Sequence, residues 1–313
     1  MQHGRPDRVP YFEEGIRNEV LRAWKNQGLS SKAELARTFP SDKREEIELD
    51  PAPEPKKWPA SLAELEAFRK SLDARQSGRR PRTWGERVRG WHERDHVLMV
   101  RVHRGFFLSM GVYDWRRFAE VARLAIKHPE FVRECMQIQG EFAARSAERV
   151  LSEVEIDAAV FTEPIGGNDR PLISPRMYED LVLPSYRPLL DLLKRHRVGT
   201  IIFRTFANSR LLLPSILKWG FNCLWACEVN VDAMDYRILR REFGRDLGLI
   251  GGIDLDVLRG DKEAIRREIE EKVPPLVADG RYVPLADGRV RQDVPFENYI
   301  YYRQLLKQIT APQ

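Results

Sequence analysis

Short apolar runs and amphipathic helical stretches alternate along most of this 313-residue chain. Brief runs rich in β-branched and aromatic residues predict buried strands, and apolar residues spaced three or four apart predict helices. Seven strands are predicted in this way, at residues 8–12, 96–102, 157–163, 199–205, 223–229, 247–254 and 281–287. From residue 157 onward a helical stretch separates each strand from the next. That order is typical of βα units and a parallel sheet.

Three long helical stretches are predicted, at residues 115–126, 130–153 and 175–196. The last contains Pro184 and Pro188, which remove backbone donors and disturb the preceding turn. We therefore expect either two helices or one kinked helix there.

The pattern as a whole predicts an α/β fold, with a (β/α)8 TIM barrel as its architecture. The eighth strand is either residues 44–50 or part of residues 105–112. An open doubly wound sheet is the alternative, although no glycine-rich phosphate loop follows a strand. Residues 1–313 are predicted to form a single barrel domain. Residues 40–90, which are rich in proline and charge, form an irregular excursion from it.

The charge, the cysteine content and the lengths of the apolar runs indicate which kinds of partner this protein has. The net charge of +5 is compatible with nucleic acid or with a small anionic substrate, but the arginines are spread along the chain, which favours the small substrate. Three cysteines fit a reducing compartment. No apolar run is long enough for a membrane span, and residues 1–15 lack the apolar core of a signal peptide. We expect a cytoplasmic protein with no nucleic-acid or membrane partner.

Polar residues at the carboxyl ends of the predicted strands are the candidate site residues, because working groups in parallel α/β folds lie at those ends. His103 and Arg104 follow one strand, and Glu163 and Asn168 follow the next. The later ends carry Arg204, Asn208, Glu228, Asp254, Asp287 and Arg289. Glu163 and Glu228 are the predicted general acid–base pair.

Arg204 is unusual because it ends the apolar run of residues 200–203, where a simple turn would favour Gly, Asn or Asp. A planar guanidinium suits a carboxylate or a phosphate. The alternative is an internal ion pair between Arg204 and Glu163 or Glu228, and the two interpretations are compatible.

Several stretches together resemble the uroporphyrinogen decarboxylase superfamily. They are "PDRVP" near the start, "ISP" and "LP.Y" in the segment 155–198, "LIGGIDLDVLRGD" at 249–261 and "DVPFENYIYYRQLL" at 293–306. The resemblance runs over about residues 4–308 and is weak over 30–90. It implies a (β/α)8 barrel whose site lies at the carboxyl-terminal mouth.

The decarboxylase branch of that superfamily carries paired arginines in an N-terminal loop that hold the porphyrinogen carboxylates. The corresponding residues here are 11–15, "YFEEG", with two glutamates. The resemblance therefore does not imply a genuine uroporphyrinogen decarboxylase.

The corrinoid methyltransferase branch places a zinc-binding "HxCGN" motif at a strand end, and the matching residues here are 204–208, "RTFAN". Only Asn208 matches, and neither a guanidinium nor a phenylalanine ligates zinc at neutral pH. The third zinc ligand of that branch, a cysteine near the last strand, has no counterpart near residues 283–287. Many other members of the superfamily carry "DH" before the final helix, where this chain has Asp287-Gly288-Arg289. We expect no metal and no bound cofactor, with a corrinoid carried by a partner protein as an open alternative.

The leading hypothesis is thus a divergent enzyme of this superfamily, methyltransferase-like or decarboxylase-like (a lyase), that acts on a small anionic or methylated substrate. Glu163, Glu228 and Asp254 form the predicted catalytic set. The predicted substrate-binding residues are Arg204, Asn208, Arg104, Asn168, Asp287 and Arg289. The alternative is a catalytically decayed barrel that binds a ligand or partner. A homodimer is left open, as relatives of this kind dimerise.

Overall fold

The computed structural model describes residues 8–49, 55, 58–72, 83–228 and 233–311. The chain folds into two compact units. The central unit comprises residues 44–205 and 209–222, and the terminal unit comprises residues 1–43, 206–208 and 223–313. The single-domain prediction is not tested by this division and stays a prediction.

The described residues form seven β-strands, all short enough for buried strands of an α/β fold. They are β1 (Arg44–Glu48), β2 (Val97–His103), β3 (Ala158–Glu163), β4 (Thr200–Phe206), β5 (Cys223–Cys227), β6 (Gly248–Ile253) and β7 (Tyr282–Ala286).

Thirteen α-helices lie between and around these strands within the described residues. They are α1 (Asn18–Lys25), α2 (Lys32–Thr38), α3 (Leu62–Ser71), α4 (Trp84–His92), α5 (Phe106–Ser109), α6 (Trp115–Lys127), α7 (Pro129–Leu151), α8 (Pro175–Leu181), α9 (Leu183–Arg195), α10 (Leu213–Lys218), α11 (Tyr236–Phe243), α12 (Lys262–Asp279) and α13 (Phe296–Ile309). Short 3-10 helices cover Arg210–Leu212, Gly244–Asp246 and Leu255–Arg259. No helix of the described part is both long enough and apolar enough to cross a membrane.

In the central unit, β1 to β4 pair side by side in parallel, in chain order. The face that carries Glu45, Phe161 and Glu163 meets the helices, since Glu45 accepts hydrogen bonds from Arg87 and Trp91 of α4. Successive strand residues point to opposite faces. Glu46, Thr162 and Arg204 therefore lie on the other face, and the register pairs Thr162 with Arg204.

A bulge near the end of β2 changes the face of its last residue. Arg101 pairs with Val160, but His103 pairs with Phe161, so the register shifts by one residue between them. Without the shift Arg101 and His103 would share a face, because the side-chain period of a strand is two. The bulge turns the His103 ring toward the helices instead.

In the terminal unit, β5, β6 and β7 also pair in parallel. The buried hydroxyl of Tyr236, on α11, donates to the Ile250 carbonyl and accepts from the Ala226 amide, which joins the helix to β5 and β6. Trp24 of α1 is fully buried and donates its indole N–H to the Val294 carbonyl.

The structure decides three of the predicted elements. Residues 44–48 form β1, as the first alternative for an extra strand predicted, while residues 106–109 form α5. Residues 8–12 do not form a strand: Asp42 accepts from the Arg8 side chain and the Tyr11 amide, so side-chain bonds replace a strand ladder there. The helical stretch at 175–196 is divided into α8 and α9 at Val182, as its prolines indicated.

The α/β class with parallel strands is therefore confirmed. Seven strands, not eight, lie in the described part of the chain, so closure into an eight-stranded barrel stays a prediction.

Candidate functional site

Glu163, at the end of β3, is completely buried on the helix-facing side of the central sheet. The hydroxyls of Tyr178 and Tyr186 donate to its Oε2 at 3.0 and 2.6 Å, and the Phe106 amide donates to its Oε1 at 2.7 Å. Burial raises the pKa of this carboxyl to about 7, although the three donors each favour the ionised form. Through these three hydrogen bonds, Glu163 joins the end of β3 to α8, to α9 and to the start of α5.

The loop after β2 runs unusually close to β3. Gly105 has a φ of +87°, and a Cβ placed there would lie 2.5 Å from the Thr162 carbonyl and 2.6 Å from the Glu163 Oε1. Only glycine fits both the left-handed backbone and the close approach. The loop therefore carries His103 and Arg104 past the end of β3 in a fixed path.

A cavity of about 240 Å³ lies at the carboxyl ends of β1 and β2, against α7. Its polar lining includes Arg101, His103, Arg104, Ser146 and the end of β1 at Glu48. The apolar lining comes from Leu49, Val102, Phe142 and Ala143. A concave site with a few convergent polar groups in an apolar wall is the usual form of a small-molecule site.

Two polar atoms of this lining are buried without a hydrogen-bond partner among the described residues: the Arg104 Nη2 and the Ser146 hydroxyl. The Arg104 Nη1 donates to the Tyr113 hydroxyl at 3.3 Å. A buried guanidinium nitrogen without an acceptor is costly, and an anion in the cavity would supply the missing acceptor.

His103 also lines this cavity and is 5% exposed. Its ring packs against Tyr186 with ring centres 4.6 Å apart, and its Nδ1 accepts from the Gly105 amide at 3.0 Å. Desolvation, helped by the neighbouring charge of Arg104, lowers the pKa of His103 to about 3. The imidazole is therefore neutral at physiological pH.

Arg204 forms an internal ion pair within the central unit, but its partner there is Glu46 and not the predicted Glu163. Its Nη1 and Nη2 bind the two carboxyl oxygens of Glu46, on β1, at 3.2 and 2.7 Å. Arg204 of β4 pairs with Thr162 of β3, and Glu163 is the next residue of β3. Because successive strand residues point to opposite faces, Glu163 and Arg204 lie on opposite faces of the sheet. The pair joins β1 to β4, which are not neighbours, and so indicates that the sheet curls toward this face.

Arg101 extends the same charged face. It contacts Glu46 at 3.9 Å and Glu48 at 2.5 Å. Arg204 is thus one member of an alternating row of charges, and the anion-binding role predicted for it stays a prediction. Asn168 is exposed in the loop after β3, outside the cavity lining.

The remaining predicted site residues belong to the terminal unit. Asn208 is half-buried, Arg289 is exposed, and Glu228 is exposed with an ion pair to Arg17 at 3.6 Å. Asp287 is buried and accepts from the Leu255 amide. Asp254 caps a 3-10 helix by accepting from the Asp256 amide, and burial raises the pKa of its carboxyl.

Asp254 and Asp287 do meet around one small cavity, of about 20 Å³, with Asp235 and the buried Lys272. Lys272 pairs with Glu268 at 2.6 Å, so its charge is neutralised within its own helix. A space of this size is suited to about one water molecule rather than a substrate.

A second buried carboxyl in the terminal unit belongs to Glu13, one of the two glutamates in residues 11–15. Glu13 accepts from the Tyr302 hydroxyl at 2.6 Å and lies 3.6 Å from the buried Arg303 guanidinium. Desolvation raises the pKa of Glu13 to about 7. Glu13 is therefore part of an internal ion pair in this unit.

The described residues contain no group of three His, Cys, Asp or Glu side chains placed to hold a metal ion. The residues at 204–206 do not fit the zinc motif either, because Arg204 is bound to Glu46 and Phe206 offers no ligand atom. Two polar residues of the cavity lining, Arg101 and Ser146, were not among the residues predicted from the sequence. His103 was predicted near a site only because it follows a predicted strand.

The sequence model of the uroporphyrinogen decarboxylase (URO-D) family matches residues 111–299, which is more than half of the chain. Curated relatives include uroporphyrinogen decarboxylase 2, chloroplastic, of Arabidopsis thaliana, 22% identical over 71% of this chain and 55% of its own. The chloroplastic uroporphyrinogen decarboxylase of Nicotiana tabacum is 23% identical over 61% of this chain and 46% of its own. This chain spans about half the length of the curated relatives that it matches.

Among solved structures, one described as a putative vitamin-B12 independent methionine synthase from Listeria monocytogenes is similar to this chain at 12% sequence identity. The similarity covers 97% of this chain and 99% of that one, with a TM-score of 0.41.

Proposed function

Because this chain belongs to the uroporphyrinogen decarboxylase family, we propose that it is an enzyme that acts on a small carboxylate substrate bound in the cavity at the carboxyl end of β2. One observation carries the proposal: Arg104 lines this cavity, and its Nη2 has no acceptor in the described part of the chain. A carboxylate is the planar, bidentate partner that a guanidinium binds best.

The size of the cavity supports a small substrate. Drug-sized ligands occupy about 300–1,000 Å³, and this cavity measures about 240 Å³. A tetrapyrrole with a carboxylate on every side chain would need far more space and many more cations. The proposal is therefore an activity different from that in the name of the curated relatives.

Decarboxylation is the reaction we favour. Arg104 would hold the substrate at one end, and the apolar wall of Phe142 and Ala143 would lie against its carbon chain. Methyl transfer, with the methyl group supplied by a corrinoid partner protein, is the second reaction that the family resemblance suggests. No contact among the described residues of the central unit favours it over decarboxylation.

A binding protein without catalysis is the second candidate function. It is favoured by Glu163, the predicted proton-transfer group, which is completely buried with three donors and does not line the cavity. The two candidates share the ligand and differ in turnover, so release of CO₂ from bound substrate distinguishes them.

Calorimetric titration with butyrate tests the shared claim. We expect binding to the wild type and at least tenfold weaker binding to Arg104→Met, which keeps the length of the side chain and removes its charge. Arg116→Met, on the exposed side of α6, is the matched control and should bind as the wild type does. Equal affinity in the Arg104 and Arg116 variants would contradict the proposal.

A further inference from the structure

We propose that His103 is a hydrogen-bond donor to the substrate, and that the substrate class is a small 3-oxo acid. In this arrangement Arg104 binds the carboxylate, and the Nε2–H of His103 binds the ketone oxygen. The inference rests on the proposed function, since it assigns a substrate class to the same cavity.

The backbone fixes the tautomer of His103. A backbone amide can only donate, so the bond from the Gly105 N–H requires an unprotonated Nδ1. The single proton of the neutral ring must then be on Nε2. Nε2 has no hydrogen-bond partner in the described part of the protein, and the ring lines the cavity.

The position of the ring is fixed as firmly as its tautomer. The bulge in β2 sets its direction, and Tyr186 and Phe161 pack against it, with ring centres 4.6 and 6.2 Å away. The Gly105 amide that holds Nδ1 is itself next to Phe106, whose amide is bound by Glu163. A donor held in this way needs little reorganisation when a substrate binds.

Burial, together with the nearby charge of Arg104, keeps the imidazole neutral. Arg101 and Arg104 face the cavity from β2 and its loop, with Glu48 from β1. Glu163 and Tyr186 lie on the helix side. Desolvation and the charge of Arg104 lower the pKa of His103 to about 3, and protonation of Nδ1 would also break its bond to Gly105. The donor is therefore present across the whole physiological pH range.

A neutral donor of this kind suits one step in particular. When a 3-oxo acid loses CO₂, the bond between the carboxyl carbon and its neighbour breaks, and the electron pair moves into an enolate. The negative charge then lies on the former ketone oxygen, where the Nε2–H of His103 would stabilise it. Water supplies the proton that returns the enolate to a ketone.

Acetoacetate and butyrate form a matched pair of probes, because they differ only in the ketone oxygen. We expect the wild type to bind acetoacetate about fivefold to tenfold more tightly than butyrate, the effect of one hydrogen bond. His103→Leu should bind the two acids equally. His103→Gln, whose amide N–H takes the place of the Nε2–H, should keep part of the preference for acetoacetate. This variant keeps the test decisive if His103→Leu does not fold.

NMR of the protein labelled with ¹⁵N-histidine gives a readout that needs no ligand. We expect the His103 ring to show an unprotonated Nδ1 and a protonated Nε2, without titration between about pH 5 and 8. Titration near the ordinary pKa of histidine, or a protonated Nδ1, would overturn the inference even if carboxylates bind. Equal binding of the two acids by the wild type would also overturn it. If neither acid binds, the proposed function fails along with this inference, whatever the tautomer.

Discussion

The buried carboxyl of Glu163 predicts a dependence of stability on pH that a substitution can isolate. Its pKa is about 7 in the folded protein, against an ordinary value of 4.5. Between these values the native state holds the proton more tightly than the unfolded chain does. Its contribution to stability is therefore full below about pH 4.5 and is lost as the pH rises to 7.

The magnitude follows from the two pKa values. Each pKa unit corresponds to about 1.4 kcal/mol, so the raised pKa of Glu163 is equivalent to about 3 kcal/mol between pH 4 and pH 8. Glu163→Gln has nearly the same shape and cannot ionise. The free energy of unfolding of the wild type, relative to this variant, should fall by about 3 kcal/mol across that range.

Urea unfolding followed by tryptophan fluorescence at a series of pH values measures this difference. Other titrating groups, including Glu13, affect the wild type and the variant equally and cancel. Glu93→Gln, which removes an exposed carboxyl in the same unit, is the matched control for the substitution itself. A constant difference for Glu163→Gln would refute the assignment of a raised pKa to this residue.

Two further substitutions test the packing and the charged face of the central unit. Gly140→Ala should destabilise the protein by about 3 kcal/mol or more in urea unfolding, because the added Cβ would collide with the Ser185 carbonyl oxygen. Gly90→Ala is the control, since the space around Gly90 is open. It should be neutral or should stabilise the protein by up to about 1 kcal/mol. Equal effects would contradict the close approach of α7 and α9. Arg204→Met should cost about 2–3 kcal/mol, because it leaves the mostly buried Glu46 carboxylate with only the distant Arg101 contact of 3.9 Å. Adding Glu46→Gln should restore a large part of that loss. Additive losses in the double variant would argue against the pair.

Most of the strands could be predicted because their signal is local. The runs that became β3, β4, β5, β6 and β7 are apolar and bounded by polar residues, which is what a strand buried on both faces requires. The helix division at Val182 was equally local, since proline disturbs only the preceding turn.

The weaker strand predictions failed or remained open where tertiary contacts decide the structure. β1 has the sequence "REEIE", whose acidic residues are bound by Arg87 and Trp91 on one face and by Arg204 on the other. Nothing in the five residues themselves shows those partners. Residues 8–12 have a more strand-like composition, but Asp42 binds them through its side chain.

The candidate site was predicted at the right strand ends but not on the right faces. Glu163 and Arg204 both follow apolar runs, yet the alternation of the sheet places them on opposite sides. His103 reaches the helix side only through a one-residue bulge, which no pattern in residues 97–103 reveals. The partner of Arg204 comes from β1, more than a hundred residues earlier in the chain. Such pairings depend on the curl of the sheet, which a single sequence does not contain.

A crystal structure of the protein with butyrate bound tests the central claim most directly. We expect the carboxylate in the cavity at the end of β2, with an oxygen within hydrogen-bond distance of the Arg104 guanidinium and the alkyl chain against Phe142. Butyrate bound elsewhere, with this cavity empty and Arg104 unchanged, would contradict it.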